Sequence, residues 1–140
     1  MVSVLFVFRI RISIGFVNKG VTTGVDVFCV IINSLELSDF LNLVKNQFHL
    51  KSLKYTSLNR KVRKIALCGG SGSFLRFQAA ASGADVYLSS DFKYHEWFDA
   101  EGHLSYVDIG HYESEQFTKE LIFNYLRKKA LSLQSEISKV

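Results

Sequence analysis

The chain has 140 residues, 48% hydrophobic and 21% charged, which is enough for one domain with a real core and excludes a disordered chain. Its net charge of +4 is dispersed. The basic stripe with interleaved aromatics that marks a nucleic-acid surface is missing, so nucleic acid is not an expected partner. No apolar run reaches the roughly 18–20 residues of a membrane helix, and Cys29 and Cys68 share no motif spacing, so no membrane partner, free thiols and a cytoplasmic location are expected.

Residues 1 to about 33 form an irregular or β-rich segment. Val2 to Ile14 looks superficially like a signal peptide, but its arginines follow the apolar run and no small-residue cleavage site appears. From Phe8 to Ile14 large apolar residues alternate with Arg9, Arg11 and Ser13, which is strand periodicity. A loop rich in Gly, Asn and Thr leads to a second β-rich run, Val25 to Ile32. The plain reading is an edge hairpin or the tail of something larger.

From Ser34 to the end, residues 34–140, the pattern becomes regular. Ser38, or Ser34 with Glu36 nearby, can cap a helix whose apolar positions Phe40, Leu41, Val44 and Phe48 follow helical spacing. Leu53 to Thr56 reads as a short strand. Lys64 to Cys68 reads as a buried strand that stops at Gly69-Gly70-Ser71-Gly72-Ser73. Phe74 to Ala81 is an Ala-rich helix closed by Gly83, which suits a left-handed cap. Val86 to Leu88 is the next strand, Lys93 to Ala100 a short helix, and Leu104 to Ile109 the last strand. A closing helix from Ser114 to about Ile137 would bury Phe117, Leu121, Ile122, Tyr125 and Leu126. This order argues an α/β domain of alternating β-α units on a largely parallel sheet.

In such a sheet, ligands bind beyond the carboxyl ends of the strands. The first end offers Gly69, Gly70, Ser71, Gly72 and Ser73, which can cradle an anion with backbone N–H groups or simply form a tight turn. The second offers Asp91, Lys93, Tyr94 and His95, suited to ligand binding, acid/base work or second-sphere support of a metal, or else to capping a helix through Asp91. At the third, Asp108-Ile109-Gly110-His111-Tyr112-Glu113-Ser114-Glu115 sets an imidazole and a carboxylate four residues apart, a pair that can hold a divalent metal. Glu113 and Glu115 equally suit the first turn of any helix, where negative charge meets the positive end of the dipole. His49 at a helix end, His103 in a turn and a buried Cys68 carry no such pattern, and Trp97 and Phe98 read as core-facing.

Taken together, Ala66 to Ser73, Gly83-Ala84-Asp85-Val86-Tyr87 leading to Asp91-Phe92-Lys93-Tyr94-His95, Asp99-Ala100-Glu101-Gly102 and Asp108 to Glu115 resemble the C-terminal portion of the Nif-three-like family. Members are often labelled GTP cyclohydrolase type 2 homologues. The resemblance covers about residues 34 to 130 and does not extend to residues 1 to 33, and Glu115 to Leu121 resembles the longer members with an inserted domain. It implies two α/β halves facing one cleft, a pair of divalent metal ions there, and a homo-oligomer in the form of a hexameric ring. Carried over, His111 and Glu115 would be metal ligands and Asp91 to His95 would line the cleft. Zinc, iron and manganese all suit a mixed histidine and carboxylate set. The activity implied is metal-dependent hydrolysis of a nucleotide-like or other small molecule. The family's paired-histidine motif and further aspartate have no counterpart here, so the expected site is half of a dinuclear centre. It would be completed by another copy or a separate N-terminal half, and a non-catalytic assembly module or truncated remnant is the alternative expectation.

Overall fold

The computed structural model describes residues 18–23, 27–56, 61–100 and 104–137. The alternating run Phe8 to Ile14, and His103, lie outside them. One six-stranded sheet organises the rest: β1 (Asn18–Thr23), β2 (Val27–Glu36), β3 (Lys54–Tyr55), β4 (Lys61–Ser71), β5 (Val86–Ser90) and β6 (Ser105–Asp108), in the spatial order β1-β2-β4-β5-β6-β3. β4, β5 and β6 pair in parallel, with Ile65 beside Val86 and Val86 beside Ser105. β2 pairs antiparallel with both β1 and β4, so β1 shares the direction of β4, and four of the six strands run one way. The α/β fold with a largely parallel sheet is therefore present, with antiparallel β2 and β3 set beside its parallel centre.

Strand periodicity explains why both faces of this sheet are dry. Side chains alternate across a strand. On one face Val30, Ile32, Ile65, Leu67, Val86, Leu88 and Val107 meet Phe40, Leu41, Val44 and Phe48 of α1 (Leu37–Gln47). On the other, Val27, Cys29, Ala66, Cys68, Tyr87 and Tyr106 meet Leu75, Ala79, Phe92 and Ala100. Leu75, Ala79 and Ala100 come from a 3-10 turn (Ser73–Leu75), α2 (Arg76–Ala81) and a second 3-10 helix (Tyr94–Ala100), and Phe92 from the stretch just before that helix. Phe92 stacks on Tyr106 at 5.2 Å and meets Tyr87 edge-on at 5.8 Å, an arrangement that ring quadrupoles favour. Fully burying a side chain such as Phe40 contributes roughly 1.5–3 kcal/mol, so two covered faces are the main source of stability.

Several boundaries differ from the sequence reading. The loop expected after Ile14 is in part β1, and β2 continues through Glu36, four residues past Ile32. A division at residue 33 therefore falls inside a strand that pairs with β4. Neither Ser34 nor Ser38 caps α1; Glu36 holds the cap position with extended backbone and no side-chain bond. Gly69, Gly70 and Ser71 belong to β4, where the pairing with β5 shifts register between Leu67 and Ser71, so the strand does not stop at Cys68. Phe98 is exposed, paired edge-on with Tyr94, whereas Trp97 does pack on Phe92. Gly83 closes α2 as expected, at φ +71° with its N–H bonded to Ala80.

The closing helix departs most. It comprises α3 (His111–Glu115) and α4 (Thr118–Ile137), and its apolar stripe is not buried. Phe117 leans on Phe48, and Leu121 is half-buried. Ile122, Tyr125 and Leu126 are exposed, as are Phe123, Leu131 and Leu133. The stripe is thus covered at Phe117 and in part at Leu121, and exposed from Ile122 onward.

Candidate metal centre

The parallel strands end side by side, and each delivers one part of the site. β4 brings Gly70, the residue after β5 is Asp91, and the turn after β6 leads into His111. Gly110 turns the chain there with φ +87° and donates its N–H to Asp108 Oδ1 at 2.9 Å. The positive φ is what favours glycine at this turn; an added Cβ would also meet the Glu113 carboxylate, a flexible group that can move aside. One helical turn later, the i to i+4 spacing of α3 places Glu115 on the face that carries His111.

The imidazole lies between two carboxylates. His111 Nδ1 is 2.6 Å from Asp91 Oδ2, and Nε2 is 3.3 Å from Glu115 Oε2. An ionised carboxylate only accepts, so Nδ1 carries a proton toward Asp91; Nε2 faces Glu115, and only its deprotonated form could bind a metal. The hydrogen bond to Asp91 raises the His111 pKa above its ordinary value; desolvation opposes this, and the charges of Asp91 and Glu115 add to it. Asp91 sits at φ +62°, a conformation that aspartate tolerates better than most residues, and it turns its carboxylate toward the site instead of capping a helix. The capping task falls to Glu96, whose Oε2 accepts the Lys93 N–H at 2.8 Å.

Gly70 forms the floor. Its backbone is left-handed, φ +71°, and a Cβ there would lie 2.5 Å from Glu115 Oε1 and 3.5 Å from His111 Nε2. Its N–H donates to Ser114 Oγ at 2.8 Å, and the same hydroxyl donates to the His111 carbonyl at 2.8 Å. Its carbonyl accepts from the Ser89 and Ser90 hydroxyls. The peptide is thereby pinned from both sides, with a bare Cα facing the two ligand-type side chains. Ser114, buried between β4 and α3, was not singled out by the sequence, because a serine inside a helical segment gives no signal of a partner 44 positions away.

Of the other residues singled out, Lys93 precedes the 3-10 helix and Tyr94 and His95 begin it, and all three are exposed. Gly72 is not over the site. Its carbonyl accepts from Tyr87 Oη at 2.6 Å, and its Cα packs against Ser89 and Cys68. Ser73 opens the 3-10 turn, Ser71 is exposed at the strand end, and Gly69 lies within β4. With the Gly70 N–H committed to Ser114, the glycine run acts in this structure by close packing of backbone more than as a row of open donors. Cys68 is buried and its thiol is free of disulfide, as is that of Cys29.

The chemistry of the donors suits a divalent ion: a neutral imidazole nitrogen, a carboxylate beside it, and a second carboxylate holding the far ring nitrogen, the arrangement by which a metal-binding histidine is usually oriented. Among the described residues, no group of three or more His, Cys, Asp or Glu side chains is arranged to hold a metal. The fit is that of two ligands with an oriented histidine.

A family model described as Duf34/NIF3 (NGG1p interacting factor 3) matches residues 7–140, which corrects the reading that the segment before residue 34 is unlike the family. A Staphylococcus aureus protein named GTP cyclohydrolase 1 type 2 homolog is 33% identical over 123 residues, 84% of this chain and 33% of the relative. A Campylobacter jejuni protein of the same name is 32% identical over 109 residues, 76% of this chain and 44% of its own length. Among solved structures, a Bacillus cereus protein described as related to NIF3 superposes with a TM-score of 0.64 at 30% identity, over 74% of this chain and 30% of that one. The chain thus spans about a third of the length of the staphylococcal relative.

Proposed function

This chain belongs to the Duf34/NIF3 family, and from that premise we propose that it binds a divalent metal ion through His111 and Glu115, as part of a metal-dependent hydrolase site. The observation that carries the reading is the His111–Glu115 pair, 3.3 Å apart over the bare Cα of Gly70, with Asp91 on the opposite ring nitrogen. A bound divalent ion would supply Lewis-acid polarisation of the substrate. Asp91 keeps the proton on Nδ1 and so keeps Nε2 available. Ser114 and Gly70 hold α3 against β4, which fixes where the Glu115 carboxylate sits. The names of the relatives point to a small, nucleotide-like substrate, and the donor set suits zinc, iron or manganese.

A catalytic site of this kind needs at least three protein ligands, or two metals about 3.5–4 Å apart. The remaining donors come, on this reading, from a second copy in a homo-oligomeric ring or from a separate N-terminal half. A cytoplasmic location belongs to the same proposal. The second reading, a non-catalytic assembly module, is favoured by the exposed apolar residues of α4 and by the two-ligand count. Metal content of protein purified without chelator, together with its mass in solution, separates the two. Near-stoichiometric metal in an oligomer, lost in His111→Ala, supports the metal-site reading. Folded protein with no metal and no rebinding of zinc or manganese would leave the assembly module.

A further inference from the structure

A cavity lies away from His111, on the far side of the segment that leads into β3. It is a slot of about 370 Å³ between α1 and the segment that leads into β3, lined by Ser38, Leu41, Asn42 and Lys45 on one side and by Lys51, Ser52, Leu53 and Tyr55 on the other. The first four follow helical spacing, so the slot runs along a single face of α1. Its volume falls within the roughly 300–1,000 Å³ usual for small-molecule sites. No carboxylate lines it, two lysines do, and neither Lys45 nor Lys51 makes an ion pair among the described residues. Hydroxyl and amide groups from Ser38, Asn42 and Ser52 accompany them, while Leu41, Leu53 and the half-exposed Tyr55 ring supply an apolar surface.

A second cavity of about 190 Å³ shares the wall Ser52–Leu53 and continues along Lys54, Asp108, Ile109, Gly110 and Glu113. It ends at the turn that presents His111. The two cavities are therefore neighbours across Ser52 and Leu53.

We propose that this slot is a binding site for a small organic phosphate that carries a planar ring, with Lys45 and Lys51 meeting the phosphate and Leu53 and Tyr55 meeting the ring. Ammonium groups act on phosphate as mobile point charges, and an aromatic and a leucine surface accept a flat ring with little cost in side-chain order. The site does not depend on metal at His111, and its test keeps the two apart.

The probe is adenosine monophosphate, titrated into the full chain and followed by calorimetry, with adenosine and inorganic phosphate as comparisons. Saturable binding of the nucleotide is expected, at least tenfold tighter than either comparison molecule. Lys45→Ala/Lys51→Ala should weaken it tenfold or more, Tyr55→Ala should weaken it several-fold, and His111→Ala should leave it unchanged. All four positions are exposed, so the variants should keep the wild-type circular dichroism. The proposal is overturned if the nucleotide shows no saturable binding at millimolar concentration, or if the double lysine variant binds it equally well. It is overturned too if inorganic phosphate binds as tightly, or if His111→Ala abolishes binding, which would relocate the ligand to the metal centre.

Discussion

Replacing Gly70 by alanine tests the site at its narrowest point. The backbone there is left-handed at φ +71°, and a non-glycine residue pays about 1–2 kcal/mol for that conformation. For a chain of this size the strain lowers the melting temperature by about 3–8 °C. The added methyl would also sit 2.5 Å from Glu115 Oε1, closer than a real contact allows, and 3.3 Å from Glu115 Cδ. Glu115 is a flexible side chain, so it moves and the fold survives, but the carboxylate then leaves its place beside His111 Nε2. Displacing one of two ligands should weaken metal binding by at least the ~10–100-fold that follows loss of an outer-sphere partner. Gly83 provides the control, because it has the same φ of +71° with nothing within 4 Å of the added methyl. Gly83→Ala should show the thermal loss alone. Calorimetric titration of zinc or manganese into wild type, Gly70→Ala and Gly83→Ala, beside thermal denaturation of each, makes the comparison. If the two variants bind metal equally well, the argument that Gly70 clears space for Glu115 is refuted.

Two further outcomes follow from the same geometry. Ser114→Ala removes the hydroxyl that links the Gly70 N–H to the His111 carbonyl, leaving a buried donor without its partner; a loss of about 1–3 kcal/mol is expected in chemical denaturation, and a change within error would show that the bridge is not formed in solution. In metal-free protein, Asp91→Asn should lower the His111 pKa, because the hydrogen bond to Asp91 is the largest cause of its rise. The sign for stability runs with it: a raised folded pKa stabilises fully below the ordinary value of 6.5 and loses that contribution as pH rises through the folded pKa. NMR titration of the imidazole reads the shift directly, and an unchanged midpoint in Asp91→Asn would remove Asp91 from the account.

What the sequence determined by itself was the part governed by local rules. Period-2 and helical apolar spacing placed a helix through Phe40, Leu41, Val44 and Phe48 and strands at Ile65–Leu67 and Val86–Leu88, and these residues are buried as their spacing requires. Gly83 was legible as a cap, and the stretch Asp108 to Glu115 was legible as strand, turn and helix, with His111 and Glu115 sharing a face because four residues make about one turn. The tertiary structure decided whatever depends on distant partners. The glycines after Cys68 stay in β4 because the pairing with β5 continues there past a register shift, which composition alone does not reveal. The stripe on α4 has helical spacing, yet spacing reports only which residues share a face and not whether anything covers it. Asp91 and His111 lie 20 positions apart, and Gly70 and Ser114 lie 44 apart. Such pairs meet only once parallel strands bring their carboxyl ends to one edge, which is the physical reason the site itself belongs to the fold and not to any single stretch of the chain.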